Sequence, residues 1–600
     1  MEEDRIEDVG REDNSYLYRF IFGISNSNNV QEEEDTGLYS RTDLHGRNLL
    51  SIPTFLYKYA ARITSLDLSK NIHIEIPVDF LQLCKNLKQF WLNDNEYKLL
   101  PQSVRYIPNL EHLNISGNQI ENLQHARLDE LSALKTLRAY NNRLNSLPDG
   151  FAKFQCLTIL YISNNSFTKF PDVICQLRSL VHLDISFNKI TSFPEQIGNL
   201  KQLTYLFATA NRLSGSLPQG FSRLENLQEL DIRQNQITDI EVLHDLPKLE
   251  RISIDYNAVT VFDYGFKHLK RLRMSKNQLT QFSIKSHAWM LVELNLANCK
   301  LSSLADHLFL NMTNLECLIL DGNTLTVIPS SIGVLTKLQR LSIQNNNLEI
   351  LPPEISKLKE LKILDAQNNN LKTLPREIWL CTSLQTLNCS SNLLETFPEP
   401  FPMMPNVNMS SASVVPTSQA GQGIAPPTPV SEQLPAHPFD NSSCDNSIPN
   451  TLLSNGFQPP PNFNPPSFFA SPRNHPPPLS LSLRYLFLGD NRFTDDVWSP
   501  LSLFLELRTL NLSFNDLYEI PPDGLCHQHL YELYLSGNHL ASLPADDIEK
   551  LSYLRVLAVN GNKLQTLPAE IGKLRKLLVL DVGNNVLKYN ISNWPYDWNW

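Results

Sequence analysis

The residues of this 600-residue chain that could do chemistry are aromatic and charged side chains that stand beside regularly spaced leucines. Aromatic and arginine side chains contribute much of the binding energy of protein interfaces. The pattern therefore predicts recognition of a protein partner, although large side chains there could also simply cover their neighbours on a sheet. The predicted binding residues are Trp91, Arg138, Tyr140, Tyr161, Asp184, Phe207, Asp231, Arg233, Arg251, Asp255, Arg271 and Arg273.

Catalytic motifs are absent from the sequence. It contains no Gly-x-x-x-x-Gly-Lys-Ser loop, no His-Glu-x-x-His, no Gly-x-Ser-x-Gly and no Cys-x-x-Cys. We therefore predict a chain that is not an enzyme and has no catalytic residue, cofactor or metal site. Nucleic acid is not an expected partner, because the sequence has no basic stripe.

The leucines belong to a string that returns about twenty times, and its clearest copy is LVHLDISFNKI at residues 180–190. A period of 23 or 24 residues with the consensus Leu-x-x-Leu-x-Leu-x-x-Asn-x-Leu is typical of leucine-rich repeats. The asparagine position, occupied once by cysteine, recurs at Asn71, Asn95, Asn118, Asn142, Asn165, Asn188, Asn211, Asn235, Asn257, Asn277, Cys299, Asn323, Asn346, Asn369, Asn392, Asn491, Asn515, Asn538, Asn562 and Asn585.

This repeat predicts an α/β solenoid of about 20 repeats, a curved horseshoe with a parallel sheet on its concave face. The Leu-x-Leu pair puts two apolar side chains on one face of a short strand, so the residues between them point out on the concave face. The asparagines are expected to pair buried backbone groups. Apolar-Pro pairs such as Leu351-Pro352 predict short helical or 3₁₀ turns on the convex side. Residues 230–305 lack these prolines and have shortened repeats, so we expect an irregular segment there.

The chain divides into four predicted segments. Residues 1–41 are acidic and expected to be mostly disordered, with a strand-like run at residues 16–22. Residues 42–398 form a first repeat block with an N-terminal half-repeat cap, and residues 481–600 form a second block, expected to be truncated, that ends in an aromatic run. Between them, residues 399–480 are predicted to be a disordered Pro/Ser-rich insertion. This insertion could be a tolerated surface loop, a docking segment for proline-motif readers, or a phosphorylation target.

Cysteine usage and hydropathy predict the compartment. The nine cysteines are scattered without paired spacing, the N-terminus lacks a signal peptide, and there is no run of eighteen apolar residues. We expect a cytoplasmic protein that reaches a membrane only through a lipidated partner.

Three segments carry a resemblance to a known family. The opening LHGRNLLSIPTFLYKYAARITSLDLSKN, the string LRYLFLGDNRFTDDV after the insertion and the closing LDVGNNVLKYNISNWPYDWNW resemble fungal adenylate cyclase, in its leucine-rich-repeat region, over roughly residues 42–600. The resemblance implies a regulatory module that engages a Ras-type GTPase to control cAMP synthesis. No cyclase catalytic residue is carried over, because no position of this chain matches one.

The resemblance also implies an acidic partner, because the effector surface of such GTPases is acidic in the family. Arg233, Arg251, Arg271 and Arg273 would then supply the electrostatic complement. The alternative is a free-standing scaffold of the Ras-suppressor type, or a regulatory fragment of a leucine-rich-repeat phosphatase.

Overall fold

The structure, a computed structural model, describes residues 40–285, 288–401 and 476–588. The strand-like run at residues 16–22, most of the predicted insertion and the aromatic run at the end of the chain lie outside these ranges. In the described residues no helix is long and apolar enough to cross a membrane.

Short strands, most of three residues, dominate the described chain. They are β1 (Arg41–Asp43), β2 (Ser65–Asp67), β3 (Gln89–Trp91), β4 (His112–Asn114), β5 (Thr136–Arg138), β6 (Ile159–Tyr161), β7 (His182–Asp184), β8 (Tyr205–Phe207), β9 (Ser214–Ser216), β10 (Glu229–Asp231), β11 (Gln236–Asp239), β12 (Arg251–Ser253), β13 (Val261–Tyr264), β14 (Arg271–Arg273), β15 (Gln281–Ile284), β16 (Glu293–Asn295), β17 (Cys317–Ile319), β18 (Arg340–Ser342), β19 (Ile363–Asp365), β20 (Thr386–Asn388), β21 (Tyr485–Phe487), β22 (Thr509–Asn511), β23 (Glu532–Tyr534), β24 (Val556–Ala558) and β25 (Val579–Asp581).

Between the strands the chain turns back through short helices, most of which begin after a proline whose fixed φ favours the turn. The α-helices are α1 (Val78–Leu83), α2 (Pro478–Ser482), α3 (Trp498–Leu501) and α4 (Ala545–Lys550). The 3₁₀ helices are Thr54–Arg62, Gln102–Tyr106, Leu128–Glu130, Asp149–Lys153, Asp172–Gln176, Glu195–Asn199, Gln219–Arg223, Glu241–Leu243, Leu308–Asn311, Ser330–Val334, Pro353–Lys357, Arg376–Leu380, Asp495–Val497 and Ala569–Lys573.

One parallel sheet collects 21 of the described strands, with each repeat paired to the next. The pairing is in register: Leu160 of β6 lies opposite Leu183 of β7, and both are fully buried. The same register joins the two predicted blocks, because Leu387 of β20 lies opposite Leu486 of β21. The predicted α/β repeat fold is confirmed. Helix α2 begins at Pro478, before the predicted start of the second block at residue 481.

Part of the side opposite the main sheet has strands in addition to turns. β9 pairs with β11, and each is followed by a 3₁₀ helix, at Gln219–Arg223 and Glu241–Leu243; β13 pairs with β15 in a second small parallel sheet. The rings of Phe262 and Phe282 stack 5.0 Å apart in the second of these sheets. The expected irregular segment at residues 230–305 therefore contains the added strands β11, β13 and β15, and β9 lies before its predicted start.

The asparagines of the repeated position, which we call the ladder asparagines, are buried or half-buried and are hydrogen-bonded as the sequence predicts. In one typical repeat, the Asn165 side-chain oxygen accepts the Leu144 N–H at 2.9 Å. Its Nδ2 donates to the carbonyl oxygens of Ala139 at 3.0 Å and Ile162 at 3.1 Å. Each ladder position thus joins its own turn to the preceding repeat, and the stacked leucines behind it form one continuous core.

Candidate functional site

The exposed face of the main sheet is built from three residues of each repeat. These are the first and third residues of the strand and the residue two positions later, because alternate side chains point the same way. We call this surface the open face. The twelve predicted binding residues all occupy these positions: Tyr205, Phe207 and Thr209 show the pattern in a single repeat, around the buried Leu206.

Four rings meet on the open face of β6, β7 and β8. The His182 ring lies 5.0 Å from Tyr161, 5.4 Å from Tyr205 and 5.1 Å from Phe207, measured between ring centroids. The Arg138 guanidinium lies 5.8 Å from the Tyr161 ring and borders the group. We call Tyr161, His182, Tyr205 and Phe207 the aromatic cluster. Such packing keeps the rings ordered before a partner arrives, which lowers the entropic cost of binding.

The aromatic cluster is electrically neutral at physiological pH. Burial lowers the pKa of His182, which outweighs the opposing effect of Asp184 and Glu229. The imidazole therefore acts as a fourth flat ring in this group. Asp184 lies beside the cluster, where its carboxylate accepts the Ser186 N–H at 3.0 Å and is held in place.

The predicted arginine patch is paired with carboxylates. Arg251 lies 2.7 Å from Glu229, and Arg273 lies 2.7 Å from Glu293, which also approaches Arg271 at 3.6 Å. These glutamates are the first residues of β10 and β16, so they share the open face with the arginines. The patch is thus a set of ion pairs rather than a free positive surface.

Two predicted carboxylates have internal partners. Asp231 is 8% exposed and accepts hydrogen bonds from Arg233 Nη2 at 2.6 Å and Thr209 Oγ1 at 2.8 Å. Asp255 is also 8% exposed and accepts the Ser275 N–H at 2.8 Å. Because their lone pairs are used inside the sheet, these groups stabilise the open face and position Arg233 on it.

The remaining predicted residues are farther from the aromatic cluster. Trp91 is the last residue of β3, three strands from Tyr161, which is about 14 Å at the usual strand spacing. Tyr140 is half-buried two residues after β5, beyond Arg138. The structure therefore brings together Arg138, Tyr161, Asp184 and Phe207, and separately the arginines from 233 to 273.

The sequence argument missed His182, Tyr205, Glu229 and Glu293. All four are first residues of strands, a position at which the prediction named only Arg251 and Arg271. The signal was present, because the residues on both sides of the central leucine point to the same face. Tyr-Leu-Phe at residues 205–207 and His-Leu-Asp at residues 182–184 could have been identified this way.

Comparison with protein families matches the repeats directly. The family described as "Leucine-rich repeat region" matches residues 157–272. The family described as "Leucine rich repeat" matches residues 108–167, 290–348, 336–394 and 528–587.

Curated relatives extend the similarity to the whole chain. It is 40% identical to an adenylate cyclase of Podospora anserina over 100% of this chain and 30% of the relative. It is 43% identical to Mycosarcoma maydis adenylate cyclase over 100% of this chain and 23% of the relative. It is 29% identical to Schizosaccharomyces pombe adenylate cyclase over 97% of this chain and 32% of the relative. The chain thus spans less than a third of the length of these relatives.

Solved structures show the same fold. A leucine-rich-repeat protein of Leptospira interrogans superposes with a TM-score of 0.56 at 28% identity, covering 62% of this chain and 95% of that one. The plant peptide hormone receptor RGFR1, in complex with RGF2, superposes with a TM-score of 0.60 at 23% identity, covering 90% of this chain and 81% of the receptor chain.

Proposed function

Because this chain belongs to the leucine-rich-repeat proteins, with its full length similar to part of fungal adenylate cyclases, we propose that it is a non-catalytic docking module for a Ras-type GTPase. In this proposal the GTPase binds the open face, and the docked complex regulates cAMP synthesis by a cyclase. The module works in the cytoplasm and meets the membrane only through the lipid of its partner.

The aromatic cluster is the observation that carries the proposal. Preformed groups of exposed rings bordered by charged side chains are typical hot spots of protein interfaces. Here the rings of Tyr161, His182, Tyr205 and Phe207 support one another, and Arg138 and Asp184 stand at the border. The neighbouring arginine–glutamate pairs would contribute orientation and salt dependence rather than net positive charge.

The test is binding of the 600-residue chain to a GTP-loaded Ras-type GTPase, measured by isothermal titration calorimetry. Phe207→Ser should weaken binding by about 30-fold, since a hot-spot aromatic contributes about 2 kcal/mol. Tyr534→Ala is the matched control, because Tyr534 is also a third strand residue but lies in β23. Unchanged affinity of Phe207→Ser would refute docking on the aromatic cluster.

The double variant Arg271→Glu with Arg273→Glu tests the arginine patch separately. Both reversals would bring three carboxylates together around Glu293, so affinity for an acidic partner should fall, and fall more at low salt than at high salt. Binding that is unchanged at every ionic strength would remove this patch from the interface and leave the aromatic cluster as the docking site.

A further inference from the structure

A second feature of the open face lies at the other end of the sheet, from β19 to β24. It is a shallow cavity, open to solvent, of about 520 Å³, within the range of about 300–1,000 Å³ that is usual for binding sites. Phe487 and Phe514 supply its apolar wall, and the amide or hydroxyl groups of residues such as Asn388, Asn511 and Ser536 line the rest. We call it the Phe514 cavity.

Two glycines, which have no side chain to fill the space, help to open this cavity. Gly489 lies where most repeats have a larger residue, and a Cβ there would stand 3.1 Å from Asn511 Oδ1 and 3.2 Å from the Ser513 carbonyl oxygen. Gly537 lies beneath the Phe514 ring, where a Cβ would meet the ring Cδ1 at 2.5 Å. Phe514 can extend over the next repeat only because glycine stands there.

The backbone of Phe514 points to a role beyond folding. In all twenty repeats the residue before the ladder position has a φ between 50° and 68°, the left-handed region that favours glycine and asparagine. Twelve of these positions hold Asn, Gly or Asp, whereas Phe187, Tyr256 and Phe514 are aromatic. Phe514 is 63% exposed and Phe187 57% exposed, so burial offsets the strain at neither, but Phe514 also lines the cavity, whereas Phe187 does not.

Charge indicates what this cavity accepts. The structure describes every open-face position from β19 to β25. The charged residues at these positions are Asp365, Glu532 and Asp581, and none of these positions holds lysine or arginine. These three lie outside the cavity lining, whose single charged residue is Asp490. Burial raises the pKa of Asp365, so a cation bound nearby would stabilise its charged form.

Three arginines of these repeats lie one residue before a strand, at the opposite edge of the sheet, and Arg492, two residues after Asp490, approaches Glu395 at 3.9 Å. Arg484 pairs with Glu506 at 3.2 Å, and Arg508 and Arg555 lie 6.0 Å and 5.5 Å from the ring of Tyr531. They lie outside the cavity lining and leave its acidic character unchanged.

We propose that the Phe514 cavity binds an extended segment of a protein partner in which lysine or arginine stands next to an apolar side chain. The amides and hydroxyls would pair with the peptide backbone, Phe487 and Phe514 would contact the apolar side chain, and Asp490 would pair with the basic group. This site is separate from the aromatic cluster and rests on none of its residues.

The test begins with a phage-displayed library of random dodecapeptides selected on the 600-residue chain. We expect enriched sequences to combine lysine or arginine with an aromatic or branched aliphatic residue. The most enriched peptide is then synthesised and its dissociation constant is measured with the natural chain and with each variant.

Phe514→Asn should weaken that peptide at least tenfold without lowering the melting temperature, because asparagine suits the left-handed backbone better than phenylalanine. Phe187→Asn makes the same change in another repeat and should leave the peptide affinity unchanged. Asp490→Lys should also weaken binding, and lysine is tolerated there because Lys70 and Lys276 occupy the equivalent position. Asp94→Lys is its matched control.

Acidic enriched sequences, the absence of any enriched sequence, or affinities that Phe514→Asn and Asp490→Lys leave unchanged would each overturn the proposal. The two proposals fail separately, because Phe207→Ser tests GTPase binding and should not alter the peptide affinity.

Discussion

Replacement of Asn165 tests the ladder on which every surface of this protein depends. In Asn165→Leu the Leu144 N–H, on a fully buried residue, loses the acceptor it has at 2.9 Å. The carbonyls of Ala139, Ile162 and Ser163 are affected less, since the Asn142 and Asn188 side chains and the Asn141 N–H also donate to them, at 3.2 Å, 3.1 Å and 3.0 Å. One orphaned donor costs about 1–3 kcal/mol and the three weakened acceptors together add about 1 kcal/mol, so we expect a loss of about 2–4 kcal/mol.

Asn165→Asp separates the donor role of this side chain from its acceptor role. The carboxylate keeps an acceptor for Leu144 but faces three carbonyl oxygens at 3.0–3.2 Å, which raises its pKa in the folded state above the unfolded value of about 3.9. Stability should therefore fall as pH rises from the unfolded pKa to the folded pKa, by about 1.4 kcal/mol for each unit between them.

Hydrogen exchange at the Leu144 amide is the assay, because it reports local opening even when a long repeat array does not unfold in one step. Asn164→Asp is the control, since Asn164 is exposed and aspartate occurs naturally at the equivalent Asp94. Protection that Asn165→Leu leaves intact, or an Asn165→Asp variant whose stability does not change between pH 3 and pH 7, would refute this account of the ladder.

Two further predictions concern single groups. Cys299 Sγ donates to the Met274 carbonyl at 3.4 Å but is a poor acceptor, and burial raises the pKa of its thiol to about 11. Because asparagine would both donate and accept here, Cys299→Asn should raise the free energy of unfolding, measured by urea titration, by about 1 kcal/mol. A loss of stability would contradict this prediction. Hydrogen bonds from Lys135 and Lys88 lower the pKa of Glu111 to about 2, so this pairing is present above the unfolded pKa and is lost as pH falls toward 2. A carboxyl NMR titration should show this pKa, which Lys135→Ala should raise; an ordinary pKa for Glu111 would contradict the pairing.

The repeating part of this structure could be predicted from sequence, because the leucine-rich consensus specifies the strand, the buried residues and the turn of each repeat at once. Every ladder position from Asn71 to Asn585 has the expected place in its repeat. The convex strands at Val261–Tyr264 and Gln281–Ile284 were harder, since the missing prolines indicated only that the usual turn was lost. Their pairing depends on the stacked phenylalanines of successive repeats, which lie 20 residues apart in sequence.

The candidate sites were predicted only in part, because contacts between neighbouring strands decide what is free to bind. The sequence placed Arg251 and Arg273 on the correct face but did not reveal that Glu229 and Glu293 pair with them across the sheet. It also named no binding residue after Arg273, whereas small residues in the later repeats make room for a cavity beside Phe514. Small residues on a sheet face can therefore mark a site when an exposed ring stands next to them.

β20 and β21 pair directly in the sheet although almost 100 residues separate them in the sequence, so a long segment between two repeats does not disturb their stacking. The Leu394 N–H donates to Asn491 Oδ1 at 3.0 Å across 97 residues, and the equivalent bonds from Leu371 and Leu213 have the same length across 21 and 22 residues. Closing the longer segment costs only about 1.4 kcal/mol more, since closure entropy grows with the logarithm of length. A gene encoding such an array can therefore acquire a long new segment between two repeats at the thermodynamic cost of a single ordinary point mutation.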